Sequence, residues 1–223
     1  MKITTTHHCL FAAACCFMAA AVSVRAADVT HYRARPLGNI VHIDGAANVH
    51  NWEMEGTIIG GTFDVPSAVV LDSTQAAVAG VPADGKINAV ADVSIPVTSI
   101  LNSKFNGMSE VMQQAMDAPN SPDIKFHLTD MTLKQPHTAN TPLQLDTKGD
   151  LTIKGVTKKV SFPITIENGD KGKLKISASN IPINMPDYSV TPPTKAGLFV
   201  TEPGVKISFT WVVGLAAKPA AAK

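Results

Sequence analysis

From Val205 to Val213 the chain alternates, with Val205, Ile207, Phe209, Trp211 and Val213 on one parity and Lys206, Ser208 and Thr210 on the other. Side chains two apart share one face of a β-strand, so this segment has an apolar side and a wetted side. The same period recurs upstream. Val41 and Ile43 oppose His42 and Asp44; His50, Trp52, Met54 and Ile58 oppose Glu53, Glu55 and Thr57; Ile87, Ala89, Ala91, Val93 and Ile95 oppose Asn88, Val90, Asp92 and Ser94. It resumes at Ile124, Phe126 and Leu128, at Leu143 to Ile153, at Val160 to Ile166, and at Leu174, Ile176 and Ala178. About eight such strands joined by short turns predict an antiparallel all-β domain, either a sandwich or a barrel.

Punctuation supports the count. Ala83-Asp84-Gly85, Gly155-Val156-Thr157 and Asn168-Gly169-Asp170 read as turns, and Gly60-Gly61 as a bend. Phe63–Leu71 is a further strand weakened by Pro66; Asp28–Leu37 reads as a polar lead-in; Asn180–Thr201, rich in proline, reads as a long irregular loop. One segment departs from period two. Across Ser103–Ala118, Phe105, Met108, Val111, Met112, Ala115 and Met116 recur at steps of three and four, which predicts one short Met-rich helix capped by Asn102 or Ser103 and stopped by Pro119.

Residues 1–26 carry the pattern of a signal peptide: Lys2, an apolar run from Leu10 to Val24, and Val24-Arg25-Ala26 before a cut that leaves Ala27 first. This predicts a periplasmic or secreted protein with a domain over 27–215 and a disordered Ala/Pro/Lys tail over 216–223. Cys9, Cys15 and Cys16 all fall inside the leader, so the mature chain has no thiol and no disulfide. Ala12-Ala13-Ala14 before Cys15 lacks the bulky residue of a lipidation site, which favours soluble export over a lipoprotein. Removing Lys2 and Arg25 takes Lys+Arg from 19 to 17 against 18 Asp+Glu, a balance of −1, and no basic stripe points to nucleic acid. No metal-ligand spacing, nucleophile motif or phosphate-binding loop is present, so neither a catalytic residue, a metal nor a cofactor is expected. His31, His42, His127 and His137 are scattered and read as surface or barrel-end residues.

Several landmarks follow one another in a recognisable order. They are Gly45 with His50 and Trp52; Pro122, Ile124 and Phe126; Leu151-Thr-Ile-Lys-Gly-Val-Thr-Lys158; and Met185-Pro-Asp187-Tyr188-Ser-Val190-x-Pro192-Pro193. In order and spacing, from about Gly38 to Leu215, they resemble the YceI family. The resemblance implies a lipocalin-like antiparallel barrel holding a lipid. The family's ligands are polyisoprenoid chains and amphiphilic lipids, and a homodimer is also implied.

For a barrel of that kind, the inward apolar candidates are Trp52, Met54, Ala91, Phe105, Met108, Met112, Phe126, Phe209 and Trp211. Each is equally suited to plain core packing. His50 beside Trp52 either meets a ligand head group or bonds a backbone carbonyl, and Tyr188 is a second head-group candidate. The leading expectation is an exported carrier of an isoprenoid, quinone-like or fatty-acyl lipid. The rival is a packed-barrel envelope or stress protein acting through a protein partner.

Overall fold

In the computed structural model, which describes residues 28–102, 104, 107–195 and 199–217, the alternating segments pair into one antiparallel sheet that closes on itself. Its strands are β1 (Val29–Ala34), β2 (Ile40–Ala47), β3 (Asn51–Gly56), β4 (Gly60–Pro66), β5 (Lys86–Ile87), β6 (Val90–Pro96), β7 (Ile100–Leu101), β8 (Asp123–Leu133), β9 (Leu143–Ile153), β10 (Val156–Asn168), β11 (Lys173–Asn184), β12 (Thr194–Lys195) and β13 (Phe199–Leu215). Among the described residues there is one α-helix, α1 (Met108–Ala115), between β7 and β8.

Eight strands make the ring, in the order β1, β4, β6, β8, β9, β10, β11, β13 and back to β1. The structure is thus a closed eight-stranded antiparallel barrel with one short helix. β13 is long enough to serve two partners on one edge: Thr201 to Thr210 pairs β2, and Val213 to Leu215 pairs β1. Asn39 stitches the changeover. Its Oδ1 accepts from the Val212 N–H at 2.9 Å and its Nδ2 donates to the Arg35 carbonyl, while the Arg35 N–H reaches the Val212 carbonyl. Backbone groups that the changeover would orphan are thereby satisfied. Beyond that point β2, β3 and β7 continue the wall at one end, with α1 beside β7.

The interior changes character along the strands. Val65, Leu143, Leu145, Ile166, Leu174 and Val213 are all buried at the end away from α1, beside the tilted ring contacts Tyr32–Phe63 at 6.0 Å and Phe63–Trp211 at 6.5 Å. Toward α1 the barrel opens into the space described below.

Several expectations are corrected. Asp28–Leu37 is not only a lead-in: β1 lies within it, His31 and Arg33 facing water, with Tyr32 and Ala34 half-buried. Ile87 to Ile95 is two strands, because five steps from Ile87 to Asp92 stand opposite four from Met131 to His127 on β8, and the surplus residue breaks the ladder. Phe63–Leu71 ends as a strand at Pro66. Ile58 lies past the end of β3 and is exposed. The hairpin turn is Lys154–Gly155, both at positive φ, and Val156 already begins β10. The proline-rich stretch is mostly strand at its ends. β11 continues to Asn184 through a bulge between Ala178 and Ile181, and β13 starts at Phe199 with Pro203 inside a second bulge. The helix is shorter than Ser103–Ala118, with Gly107 at φ 77 as its cap. Asn102 closes a local turn instead, its Oδ1 accepting from the Lys104 N–H at 2.9 Å. Ser103 and Phe105, residues 1–26 and residues 218–223 lie outside the described residues.

Candidate functional site

Two apolar chambers follow one another inside the barrel, one central and one beside α1. The central chamber has a volume of about 120 Å³ and is walled by β2, β4, β6, β8, β9, β10, β11 and β13. Phe63, Ala91, Phe126, Phe162, Phe209 and Trp211 are among its lining residues. Its one hydroxyl-bearing lining residue, Thr147, turns its hydroxyl to the Phe162 carbonyl at 2.6 Å, while the indole Nε1–H of Trp211, another lining residue, is buried without a hydrogen-bond partner. The helix-side chamber, about 80 Å³, is lined by Trp52 and Met54 of β3, by Met108, Val111, Met112 and Ala115 of α1, and by Met116, Met185, Tyr188 and Val190. Ile43, Ile124, Ile183 and Ile207 line both chambers, so the two meet at a collar of β-branched side chains. On β13 the lumen runs from Val205 to Trp211, about 20 Å at the rise of an extended strand.

Local sequence explains how the large rings fit. Gly45 lies directly across from Trp52, and a Cβ there would sit 2.1 Å from the indole, so the ring lies flat over the glycine with its Nε1 donating to the Ala46 carbonyl at 3.3 Å. Gly149 does the same for Phe126, whose ring atoms would lie 2.4 Å from an added Cβ. Phe126 then lies tilted against Phe162 at 5.3 Å, and Phe162 meets Phe209 edge-on at 6.3 Å. The two glycine-marked motifs are one device used twice: a missing Cβ lets an aromatic ring lie against a strand and shape the lumen.

The helix-side chamber is electrically quiet. Burial, and secondarily the charge of Asp187, raises the Tyr188 phenol above its ordinary value, so it stays neutral at physiological pH. Charge lies outside, in a groove that also touches Trp52, Ile183 and Val205 and carries Asp44, Glu53, Asp187 and Glu202 with Lys104 and Lys206. Lys104 and Glu53 pair at 2.5 Å, and hydrogen bonding to Lys104 followed by its positive charge lowers the Glu53 value.

Of the residues expected to face inward, Trp52, Met54, Met108 and Met112 line the helix-side chamber, and Ala91, Phe126, Phe209 and Trp211 the central one. Phe105 lies outside the described residues. Tyr188 reaches the helix-side chamber, whereas His50 lines neither; its Nδ1 is 3.0 Å from the Asn51 carbonyl oxygen. His31, His42 and His127 sit on the outer surface against Asp64, Glu55 and Asp92. Among the described residues, no three His, Cys, Asp or Glu side chains are grouped to hold a metal ion. The collar isoleucines and Phe162 were missed as lumen residues, although their parity within already recognised strands was the available signal.

A family model described as the YceI-like domain matches residues 40–213. No protein of curated function matches the chain. Among solved structures, a polyisoprenoid-binding domain from Saccharophagus degradans implicated in plant cell wall breakdown aligns with a TM-score of 0.59 at 12% identity, covering 83% of this chain and 98% of that one. BcnA of Burkholderia cenocepacia aligns with a TM-score of 0.56 at 18% identity, covering 80% and 98%. At these identities the likeness is one of fold.

Proposed function

The chain belongs to the YceI-like domain family, and from that premise we propose that it is an exported carrier that holds a long apolar ligand in its barrel. The observation that carries this reading is the pair of apolar chambers meeting end to end at an isoleucine collar. Ligand classes that fit are an isoprenoid, a quinone-like lipid or a fatty-acyl chain. The description of the Saccharophagus domain as polyisoprenoid-binding favours the first. Binding needs no polar anchor, since each methylene taken from water contributes about 0.8 kcal/mol. The leader-like residues 1–26 supply the route out of the cytoplasm.

Native mass spectrometry of the exported protein, followed by solvent extraction, tests the proposal. A co-purifying lipid of fixed stoichiometry is expected, on a chain beginning at Ala27. A clean apo mass that stays unchanged after incubation with isoprenoid alcohols, quinones and fatty acids would end the carrier reading.

A further inference from the structure

Met1 and Met18 apart, every methionine of the chain lines the lumen: Met131 the central chamber, and Met54, Met108, Met112, Met116 and Met185 the helix-side chamber. Isoleucines and aromatic rings dominate the central wall, so the thioethers are concentrated where the two chambers differ. They come from three separate places in the fold: β3, the segment of α1 and its exit, and the residue just after β11. Apolar lining alone does not call for this, because leucine serves a helix face equally well. Cys9, Cys15 and Cys16 all precede the barrel, which makes these thioethers its only sulfur. Met108, Met112 and Met185 are half-buried, while Met54 and Met131 are fully buried and Met116 nearly so.

Resting on the carrier reading, we propose that Met108, Met112 and Met185 are sites of reversible sulfoxidation by hydrogen peroxide, and that their oxidation discharges the ligand. The thioether sulfur attacks one peroxide oxygen. An S–O bond forms, the O–O bond breaks, and the departing hydroxide takes up a proton to leave as water. Sulfur loses two electrons and the peroxide gains them. Reduction by a thiol-dependent reductase reverses the change, with the oxygen leaving as water. The sulfoxide is a strong hydrogen-bond acceptor, and the wall has few donors for three of them: the Trp52 Nε1–H is already given to the Ala46 carbonyl, which leaves the hydroxyls of Tyr188 and Thr201. A sulfoxide that stays inside and finds neither hydroxyl is buried without a partner, and one that swings out opens the lining. Either way the apolar ligand is held less well.

The chain's 2 tryptophans, Trp52 and Trp211, line one chamber each, so their fluorescence follows occupancy. Geranylgeraniol is titrated before and after hydrogen peroxide treatment, and peptide mass spectrometry maps the sulfoxides. We expect oxygen at Met108, Met112 and Met185 before Met54, Met116 and Met131. Affinity should fall about tenfold or more, and methionine sulfoxide reductase should restore it. The triple variant M108L/M112L/M185L is compared with its own untreated Kd, and that value should not move on peroxide treatment. An unchanged Kd after oxidation, equal oxidation of the buried methionines, or an equal loss in the triple variant would overturn the proposal. If untreated protein binds no geranylgeraniol, quinone or fatty acid, the carrier reading falls and takes this inference with it.

Discussion

Ala91→Phe tests whether the central chamber is where the ligand goes. Ala91 faces inward on β6, directly across from Phe63 on β4, and borders a chamber of about 120 Å³. An engineered apolar cavity of roughly 150 Å³ accommodates benzene, so a phenyl group at position 91 takes up most of this space. For the protein the change nearly balances. Burying the ring contributes about 2 kcal/mol, and overpacking costs about 1–3 kcal/mol, so the barrel should remain folded with its denaturation midpoint little moved. For the ligand it does not balance. Excluding about five methylenes at about 0.8 kcal/mol each removes about 4 kcal/mol, which is roughly a thousandfold in Kd. Tryptophan quenching by geranylgeraniol measures the loss, and urea denaturation measures the fold. Val90→Phe, one residue back on the outward face, is the control and should leave binding alone. Unchanged affinity in Ala91→Phe, with the fold intact, would show that the ligand lies elsewhere.

Three further outcomes follow from the packing. Gly45→Ala places a Cβ 2.1 Å from the Trp52 indole and should cost about 1–3 kcal/mol while shifting the tryptophan emission; an unaltered spectrum and midpoint would contradict the ring-over-glycine argument. Asn39→Ala leaves the Val212 N–H without its acceptor at the partner changeover of β13 and should cost about 1–3 kcal/mol in urea denaturation; a loss of only a few tenths would mean that another group fills the gap. Glu53, held below its ordinary value of 4.5 first by the hydrogen bond to Lys104 and then by its charge, stabilises the fold above that value and ceases to do so as pH falls through its lower folded value. Wild type should therefore lose more stability below about pH 4.5 than Glu53→Gln, and parallel acid curves would refute the assignment.

The parts of the fold written in period two were legible because burial on one face leaves an alternating trace, as in Val205 to Val213. What was not legible depended on neighbours. β1 has a weak pattern of its own and becomes a strand because it closes the ring between β4 and β13. Pro182 looked like loop because a proline weakens an isolated strand, but the bulge before it re-aims β11 so that the strand continues opposite Lys206. The same limit applies to the lumen. Leu145 and Ile164 both face inward and stand directly across from each other on β9 and β10, yet Ile164 borders the central chamber and Leu145 does not. Parity places a side chain inside the barrel. Only the arrangement of the surrounding strands determines whether it meets another side chain or open space.

That open space bears on the choice between a carrier and a purely structural barrel. Unfilled cavity costs roughly 24 cal/mol per Å³ where large side chains have been cut back. At about 120 Å³ the central chamber then represents about 3 kcal/mol, and the helix-side chamber at about 80 Å³ about 2 kcal/mol. Domains commonly have only about 5–15 kcal/mol in total. A barrel acting solely through its outer surface has no use for that deficit, and a larger residue at Ala91 would reduce it. A carrier needs the space and recovers the loss when filled. Ligand present at about a hundred times its Kd should add about 2.7 kcal/mol, so the melting temperature of the wild type should rise with geranylgeraniol while that of Ala91→Phe stays flat. If both rise together, the stabilisation comes from outside the lumen and the structural reading regains its standing.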